Sequence, residues 1–211
     1  MEGYTTLRAG AEAVGEFTDR KSRFIAQLVH VETEDEAAAH LAAMRARHFD
    51  ARHNVPAWIL AGGSERASDD GEPSRTSGMP TLEVLRGAGL KDVCCVTTRY
   101  FGGTLLGPGG LVRAYTAAAQ AAVEDARAHG LLVEMALVVP VMACVPYARL
   151  AQALRLVEQA GGRQQGADYG ADVTLSLAFR AGGEQAFIAA LTELLGAEPD
   201  VLVEPPRFAE L

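Results

Sequence analysis

A glycine-rich stretch, residues 97–115, constrains the fold of this 211-residue chain more than any other part of it. Its sequence, TTRYFGGTLLGPGGLVRAY, joins a strand-like apolar run to a long alanine-rich helix. Glycine loses more backbone freedom on folding than other residues, so five glycines between positions 102 and 110 indicate unusual backbone angles or the close approach of another group. The stretch therefore predicts either an anion-sized concavity, into which N–H groups and the helix dipole point, or a tight packed turn.

The anion interpretation assigns roles to residues on both sides of the loop. Arginines would neutralise a phosphate, glycines at the helix start would donate backbone N–H groups, and aromatic side chains after the strand would stack on a base. A basic residue at the entrance of an earlier strand would line the same cleft. The predicted ligand-binding residues are Arg23, Arg99, Tyr100, Gly102, Gly103, Gly107, Gly109, Gly110 and Arg113.

The composition, 49% hydrophobic and 22% charged, is typical of a globular protein. No signal peptide is recognisable, and no apolar run approaches the ~20 residues needed to span a bilayer. We therefore expect a soluble cytoplasmic protein with no membrane contact. Cys94, Cys95 and Cys144 have neither disulfide nor zinc spacing, and their apolar neighbours predict buried thiols.

The net charge of −8 argues against a protein that coats nucleic acid non-specifically, because such binding needs a basic surface. The charge is unevenly distributed. Residues 1–130 carry 14 basic and 17 acidic side chains, whereas residues 131–211 carry 5 and 10. A basic patch is therefore expected in the first part, and the acidic second part is a candidate surface for a protein partner.

Hydrophobic periodicity predicts an α+β fold for residues 1–130. Thr33 and Glu36 form a capping box, and Pro56 near the start of its strand predicts an edge position or the first residues of that strand. The predicted elements are strands at 4–7, 21–31, 54–61 and 92–98, and helices from about 33 to 48, from 80 to 86, and from after Gly110 to about 129.

A polar segment, residues 62–78, is predicted to be a 17-residue loop, which is long enough to be functional or mobile. Its Asp69, Asp70 and Glu72 match no calcium loop and supply too few ligands alone, so no metal site is predicted. The segment is expected to be a recognition loop. His53 lies at the start of the predicted strand 54–61, just before this segment. It would either form a simple hydrogen bond or work as an acid or base with Asp69 or Asp70.

Residues 131–211 show the order βαββαβ, which is the ferredoxin-like split unit. The strands are expected at 131–143, 163–168, 172–180 and 199–208, and the helices at 146–160 and 183–195. This part contains no histidine and only scattered acids, which favours binding over catalysis. The predicted domains are thus residues 1–130 and residues 131–211.

Four motifs together resemble the YigZ/IMPACT family along the whole chain: KSRF at 21–24, HN at 53–54, SDDGEPS at 68–74, and RYFGG…GGLVRAY at 99–115. The resemblance implies an N-terminal domain folded like the second domain of a ribosomal small-subunit protein. It implies a C-terminal domain similar to the fifth domain of elongation factor G. Both are similar to modules that touch RNA or the ribosome, and eukaryotic relatives are associated with regulation of translation initiation. Arg75, Pro56 and Pro108 depart from the family pattern.

The expected function is a non-enzymatic cytoplasmic factor associated with RNA or the ribosome, without a cofactor, that takes part in the regulation of translation. The alternative is an enzyme acting on a nucleotide or a phosphorylated metabolite, with His53, Asp69 and Asp70 as its acid–base groups. The sequence has no phosphate-binding lysine motif, no HExxH helix and no nucleophile elbow. A protein-interaction scaffold that uses the acidic second part is the third interpretation.

Overall fold

The computed structural model describes residues 3–210. The chain forms two compact units: the first is Tyr4–Val133, and the second is made mainly of the residues from Glu134 onward. No helix within residues 3–210 is both long and apolar enough to cross a membrane.

A five-stranded antiparallel sheet organises the first unit, with the strand order β2-β3-β6-β4-β5. The elements in this part of the chain are β1 Gly3–Leu7, which is not a strand of this sheet, β2 Glu12–Asp19, β3 Ser22–His30, α1 Glu34–Arg47, β4 His53–Ile59, β5 Glu65–Ala67, α2 Gly78–Gly87, β6 Val93–Tyr100 and α3 Gly107–Ala128. Thr33 caps α1 by accepting a hydrogen bond from the N–H of Glu36, as the capping box predicts.

The helices cover both faces of this sheet. Helix α1 packs on one face, over Trp58, Cys94 and Val96. Helices α2 and α3 pack on the other face, where Phe24 and Cys95 contribute to the largest apolar cluster of the unit. Successive residues of a strand point to opposite faces, so neighbouring residues of β6 belong to different layers.

Helix α3 lies unusually close to the sheet. The residues that it buries are mainly alanines, and it packs chiefly against β2 and β3. A Cβ at Gly15 of β2 would lie 2.1 Å from the backbone nitrogen of Ala122, so only glycine fits there. The sheet–helix distance is therefore set by small side chains on both partners.

Four features of the first unit differ from the sequence-based prediction. Strand β2 was not predicted, because its inward residues Ala13 and Gly15 are too small to produce a clear alternation. The polar loop contains the short strand β5, and α3 starts at Gly107 instead of after Gly110. Pro56 was expected at a sheet edge or in the first residues of its strand, but it is the fourth residue of β4, which lies between β6 and β5. Its carbonyl accepts a hydrogen bond from the N–H of Ser68, just past the end of β5. The N–H that proline lacks would point to the same side, where β5 has already ended.

The second unit confirms the ferredoxin-like prediction and, with the first, the α+β class. Strand β7 lies between β9 on one side and β10 and β11 on the other, and β8 pairs with β9, all antiparallel. Helices α4 and α5 pack together over the core around Leu175 and Phe187. Pro205 and Pro206 divide the last strand into two. The elements are β7 Leu132–Val145, a 3-10 turn Tyr147–Arg149, α4 Leu150–Gln159, β8 Arg163–Tyr169, β9 Val173–Arg180, α5 Gly183–Leu195, β10 Val201–Val203 and β11 Arg207–Glu210.

Candidate functional site

A cavity of about 410 Å³ opens in the first unit at the start of α3. The start of β4, the polar loop, the end of β6 and the first turns of α3 form its walls. Most of the lining is apolar, with a few charged groups, which is the usual character of a ligand site. The lining residues are Arg52, His53, Glu72, Pro73, Arg99, Phe101, Leu105, Leu106, Gly107, Pro108 and Leu111.

A buried ion pair lies in the wall of the cavity. The Nη1 of Arg99 donates to both oxygens of Glu72, at 2.7 and 2.9 Å, and the two side chains are only 7% and 3% exposed. The hydroxyl of Tyr115 donates to the same carboxylate at 2.8 Å. Burial, and then the charge of Glu72, raise the pKa of Tyr115, so this hydroxyl stays protonated. The charge of Arg99 is thus balanced inside the protein.

Two phenyl rings flank the Arg99 guanidinium. Its Cζ lies 5.5 Å from the ring centre of Phe24 and 5.6 Å from that of Phe101, within cation–π range. Glu72 uses only Nη1, and the buried Nε has no hydrogen-bond partner in the described part of the chain. Arg99 therefore retains donor capacity beside the cavity.

The rim of the cavity carries one unbalanced charge and two exposed apolar side chains. Arg52 is exposed and forms no ion pair with any residue from 3 to 210. Leu105 and Phe101 are 79% and 49% exposed. The Nδ1 of His53 lies 2.8 Å from the carbonyl oxygen of Asp70, which fixes this ring in the wall.

The two aspartates of the polar loop hold the loop itself. Burial disfavours the charged form of Asp69, but hydrogen bonds from Arg75, Gly78 and Ser77 outweigh this effect and hold its pKa below the ordinary value. Asp70 accepts from the N–H of Asn54 at 2.7 Å and pairs with Arg45 at 2.6 Å. The cavity lining includes neither carboxylate, so His53 is the only member of the predicted acid–base group that reaches it.

The predicted ligand-binding arginines and Tyr100 do not form one cluster. Arg99 points to the α3 layer, whereas its neighbour Tyr100 points to the α1 layer, where its hydroxyl contacts His48 at 3.0 Å. Arg23 pairs with Tyr100 across the strands, so it lies on that same far face, bound to Glu16 at 2.7 Å. Arg23 and Tyr100 therefore lie on the opposite face of the sheet from the cavity that contains Arg99.

Arg113 also lies outside the cavity. It is exposed on α3, two residues beyond Leu111, which lines the cavity. Its Nη2 donates to Asp19 at 3.0 Å, at the end of β2. Asp19 thus offsets the charge of Arg113. Of the three predicted arginines, only Arg99 lines the cavity.

The glycines of the loop serve the fold in different ways. A Cβ at Gly102 would lie 2.1 Å from the backbone of the turn between β2 and β3, and Gly103 and Gly107 have φ of +85° and +70°. A Cβ at Gly110 would lie 2.9 Å from the Leu106 side chain. Gly109 alone meets no atom within 4 Å and has no positive φ. The packed-turn interpretation therefore explains most of these glycines, and only Gly107 lines the cavity.

Sequence reasoning missed several groups that shape the site. Glu72 was considered as a metal ligand but not as a partner of Arg99, and neither Arg52 nor Leu105 was predicted to line a site. The alternation of β6 was the one available signal, since it separates Arg99 from Tyr100. The pairing of Arg99 with Glu72 had no such signal, because the two residues are distant in sequence.

Comparison with known proteins places this chain in a family. Residues 20–123 match the Impact N-terminal domain, and residues 145–198 match a domain of unknown function, DUF1949. The chain belongs to the IMPACT family. Among its curated relatives is the IMPACT family member YvyE of Bacillus subtilis, 45% identical over 117 residues, which are 54% of this chain and 53% of YvyE. The IMPACT family member YigZ of Escherichia coli is 42% identical over 119 residues, 54% of this chain and 57% of YigZ. The chain thus spans about half the length of these curated relatives.

One solved structure supports the fold. A crystal structure described as that of a hypothetical protein is 31% identical, with a TM-score of 0.63 over 97% of this chain and 98% of its own. A structure of the two-domain translational regulator Yih1 is 29% identical over 55% of this chain and 47% of its own, with a TM-score of 0.37. The first of these extends the similarity of fold over nearly the whole chain.

Proposed function

We propose that this chain is a non-enzymatic, cytoplasmic, RNA- or ribosome-associated factor that takes part in the regulation of translation. Its RNA contact is the cavity at the start of α3. One observation carries the proposal: Arg52, which forms no ion pair with the described residues, lines the same cavity as the exposed Phe101 and Leu105, at the N-terminal end of a 22-residue helix. Single-stranded RNA is bound by such combinations of cations, for the phosphates, and apolar or aromatic surfaces, for the bases.

The positive potential of this surface comes from groups other than Arg99. Arg52 has no ion-pair partner in the part of the chain that the structure describes, and the N-terminus of α3 adds about half a positive charge. Arg20 and Lys21, in the turn beside Gly102, form no ion pair with the described residues either. Arg52, Arg20 and Lys21 are thus three cations without an acidic partner among residues 3–210, and they favour local attraction of a polyanion.

Binding suits these side chains better than catalysis does. Asp69 and Asp70 are used in holding the polar loop, and Glu72 is held by Arg99 and Tyr115. His53 therefore has no free carboxylate among the cavity-lining residues to work with as an acid–base partner. Membership of the IMPACT family, with the translational role that the sequence resemblance implies, supports the same choice.

The test is the affinity of the full chain for a fluorescein-labelled, single-stranded RNA of about 12 nucleotides, measured by anisotropy at several salt concentrations. Each phosphate contact in a single strand contributes a slope of about −0.7 to log K against log salt, so the three cations predict a slope of about −2. Arg52→Ala and Phe101→Ala should each weaken binding about 5- to 10-fold, because they remove a phosphate contact and a stacking surface.

Arg66→Ala is the matched control. Arg66 is an exposed arginine of β5 that stacks on Trp58, and its removal changes the net charge by the same amount. Equal effects of Arg52→Ala and Arg66→Ala would contradict the assignment of the cavity. Salt-independent binding, or no binding to RNA or to purified ribosomes, would contradict the proposed function itself.

A further inference from the structure

We infer that the cavity at the start of α3 takes a nucleotide phosphomonoester, either the phosphorylated end of an RNA strand or a free nucleoside monophosphate, in preference to an internal RNA phosphate. The ligand class deepens the proposed function and rests on it, since both use the same cavity.

The size of the cavity favours a single nucleotide. Its volume of about 410 Å³ is near the lower end of the range for ligand sites, roughly 300–1,000 Å³. An internal phosphate carries a nucleoside on each side, and both would have to enter for that phosphate to reach Arg99, which is only 6% exposed. A terminal nucleotide needs space for one base and one sugar. Its base would lie against the apolar side chains of Leu105, Leu106 and Leu111.

Arg99 supplies an independent indication of a ligand. It is more than nine-tenths buried, it lines the cavity, and its Nε has no hydrogen-bond partner among the described residues. A buried donor of a charged group is costly to leave unsatisfied. Phe101, half exposed, lines the same cavity, and its ring centre lies 5.6 Å from the guanidinium Cζ of Arg99.

The local charges favour a monoester over a diester. A phosphomonoester carries about −1.5 to −2 near pH 7, whereas an internal phosphate carries about −1. Glu72 is already neutralised by Arg99, which leaves the charge of Arg52 and the N-terminus of α3 for the ligand. Gly107 lines the cavity, and a Cβ at Gly109 would meet no atom within 4 Å, so a phosphate has room beside the first helical turn.

The test compares RNA strands of one sequence and about 10 nucleotides, bearing a 5′-phosphate, a 3′-phosphate or hydroxyls at both ends. Each competes against the same labelled RNA at one salt concentration, and AMP is a further competitor. We expect a phosphorylated strand to bind about 10-fold more tightly than the hydroxyl strand. Arg52→Ala should abolish this ratio, and Arg66→Ala should retain it.

The variant Gly109→Asp tests whether loss of the affinity ratio could be caused by misfolding. An acidic residue in the first turn stabilises a helix, yet it would repel a phosphate there, so the variant should unfold no more easily while losing the preference for the phosphorylated end. Urea unfolding of this variant, followed by Trp58 fluorescence, checks the first part of that expectation.

The outcomes separate this inference from the proposed function. Equal affinity for all three strands, sensitive to Arg52→Ala, would overturn the phosphomonoester inference and leave RNA binding standing. Binding of AMP that depends on Arg52, without binding of any strand, would support the inference for the free nucleotide and overturn the RNA function. Absence of all binding would overturn both.

Discussion

Replacing Glu72 alone should destabilise the first unit far more than replacing Glu72 and Arg99 together. Glu72→Gln keeps an acceptor for the Tyr115 hydroxyl but leaves the Arg99 charge uncompensated. The two side chains are 3% and 7% exposed, so solvent screens them little. Breaking a buried pair costs about 3–5 kcal/mol, whereas replacing both partners by neutral residues is often nearly neutral.

We therefore expect Glu72→Gln and Arg99→Met each to lower the free energy of unfolding by about 3–5 kcal/mol, and the double variant by about 0–2 kcal/mol. The assay is urea unfolding followed by the fluorescence of Trp58, the only tryptophan of the chain, which lies 7% exposed in the α1 layer and so reports on the first unit. Glu124→Gln is the control, because its pair with Arg127 is exposed and should contribute about 0.5 kcal/mol or less.

Additivity of the two single variants within about 0.5 kcal/mol would refute this reasoning. It would mean that water entering the cavity solvates both groups, so that Arg99 behaves as an exposed cation. The phosphate-neutralising role that the sequence suggested for Arg99 would then regain support. A large coupling would instead identify Arg99 as an internal counterion whose loss affects binding partly through loss of folded protein.

Two further predictions concern the stability of the first unit. Gly15→Ala should lower the free energy of unfolding by about 1–3 kcal/mol, because its Cβ would overlap the backbone of α3, whereas Gly62→Ala, with no atom within 4 Å, should have little effect; equal losses would contradict this explanation. Burial lowers the pKa of His40 and His48, so the unfolded chain binds protons more readily, and stability should fall as the pH drops below about 6.5. It should fall again below about pH 3.8 as Asp69 is protonated, and urea titrations should lose the first step in a His40→Gln, His48→Gln variant.

Local patterns predicted most of the fold. The order βαββαβ followed from periodicity and glycine punctuation, and the structure confirms it because each of those elements is determined by its own neighbours in sequence. Strand β2 was not predicted because its small inward residues, Ala13 and Gly15, are required by close packing against α3, a helix about a hundred residues away in sequence. Its apolar face is visible only once the helix is in place.

The candidate site was harder to predict because its parts meet through tertiary contacts. The sequence drew attention to the loop that forms part of this cavity, yet the partner that neutralises Arg99 comes from the polar segment, 27 residues away. Arg52 gained importance only when the structure placed it on the cavity rim, with no acidic partner among the residues described. Charge balance of this kind depends on three-dimensional neighbours, and composition alone cannot reveal it.

The alanine face of α3 makes the entrance of the cavity sensitive to distant substitutions. Gly15 contacts the helix near Ala122, about 22 Å along the helix axis from Gly107, at the rise of an α-helix. A rigid helix that is raised at one end tilts along its whole length, so one added methyl group near Ala122 would move the first turn and the cavity wall that it forms. We therefore expect affinity at the proposed site to respond to the packing of Gly15 against α3, in the middle of β2.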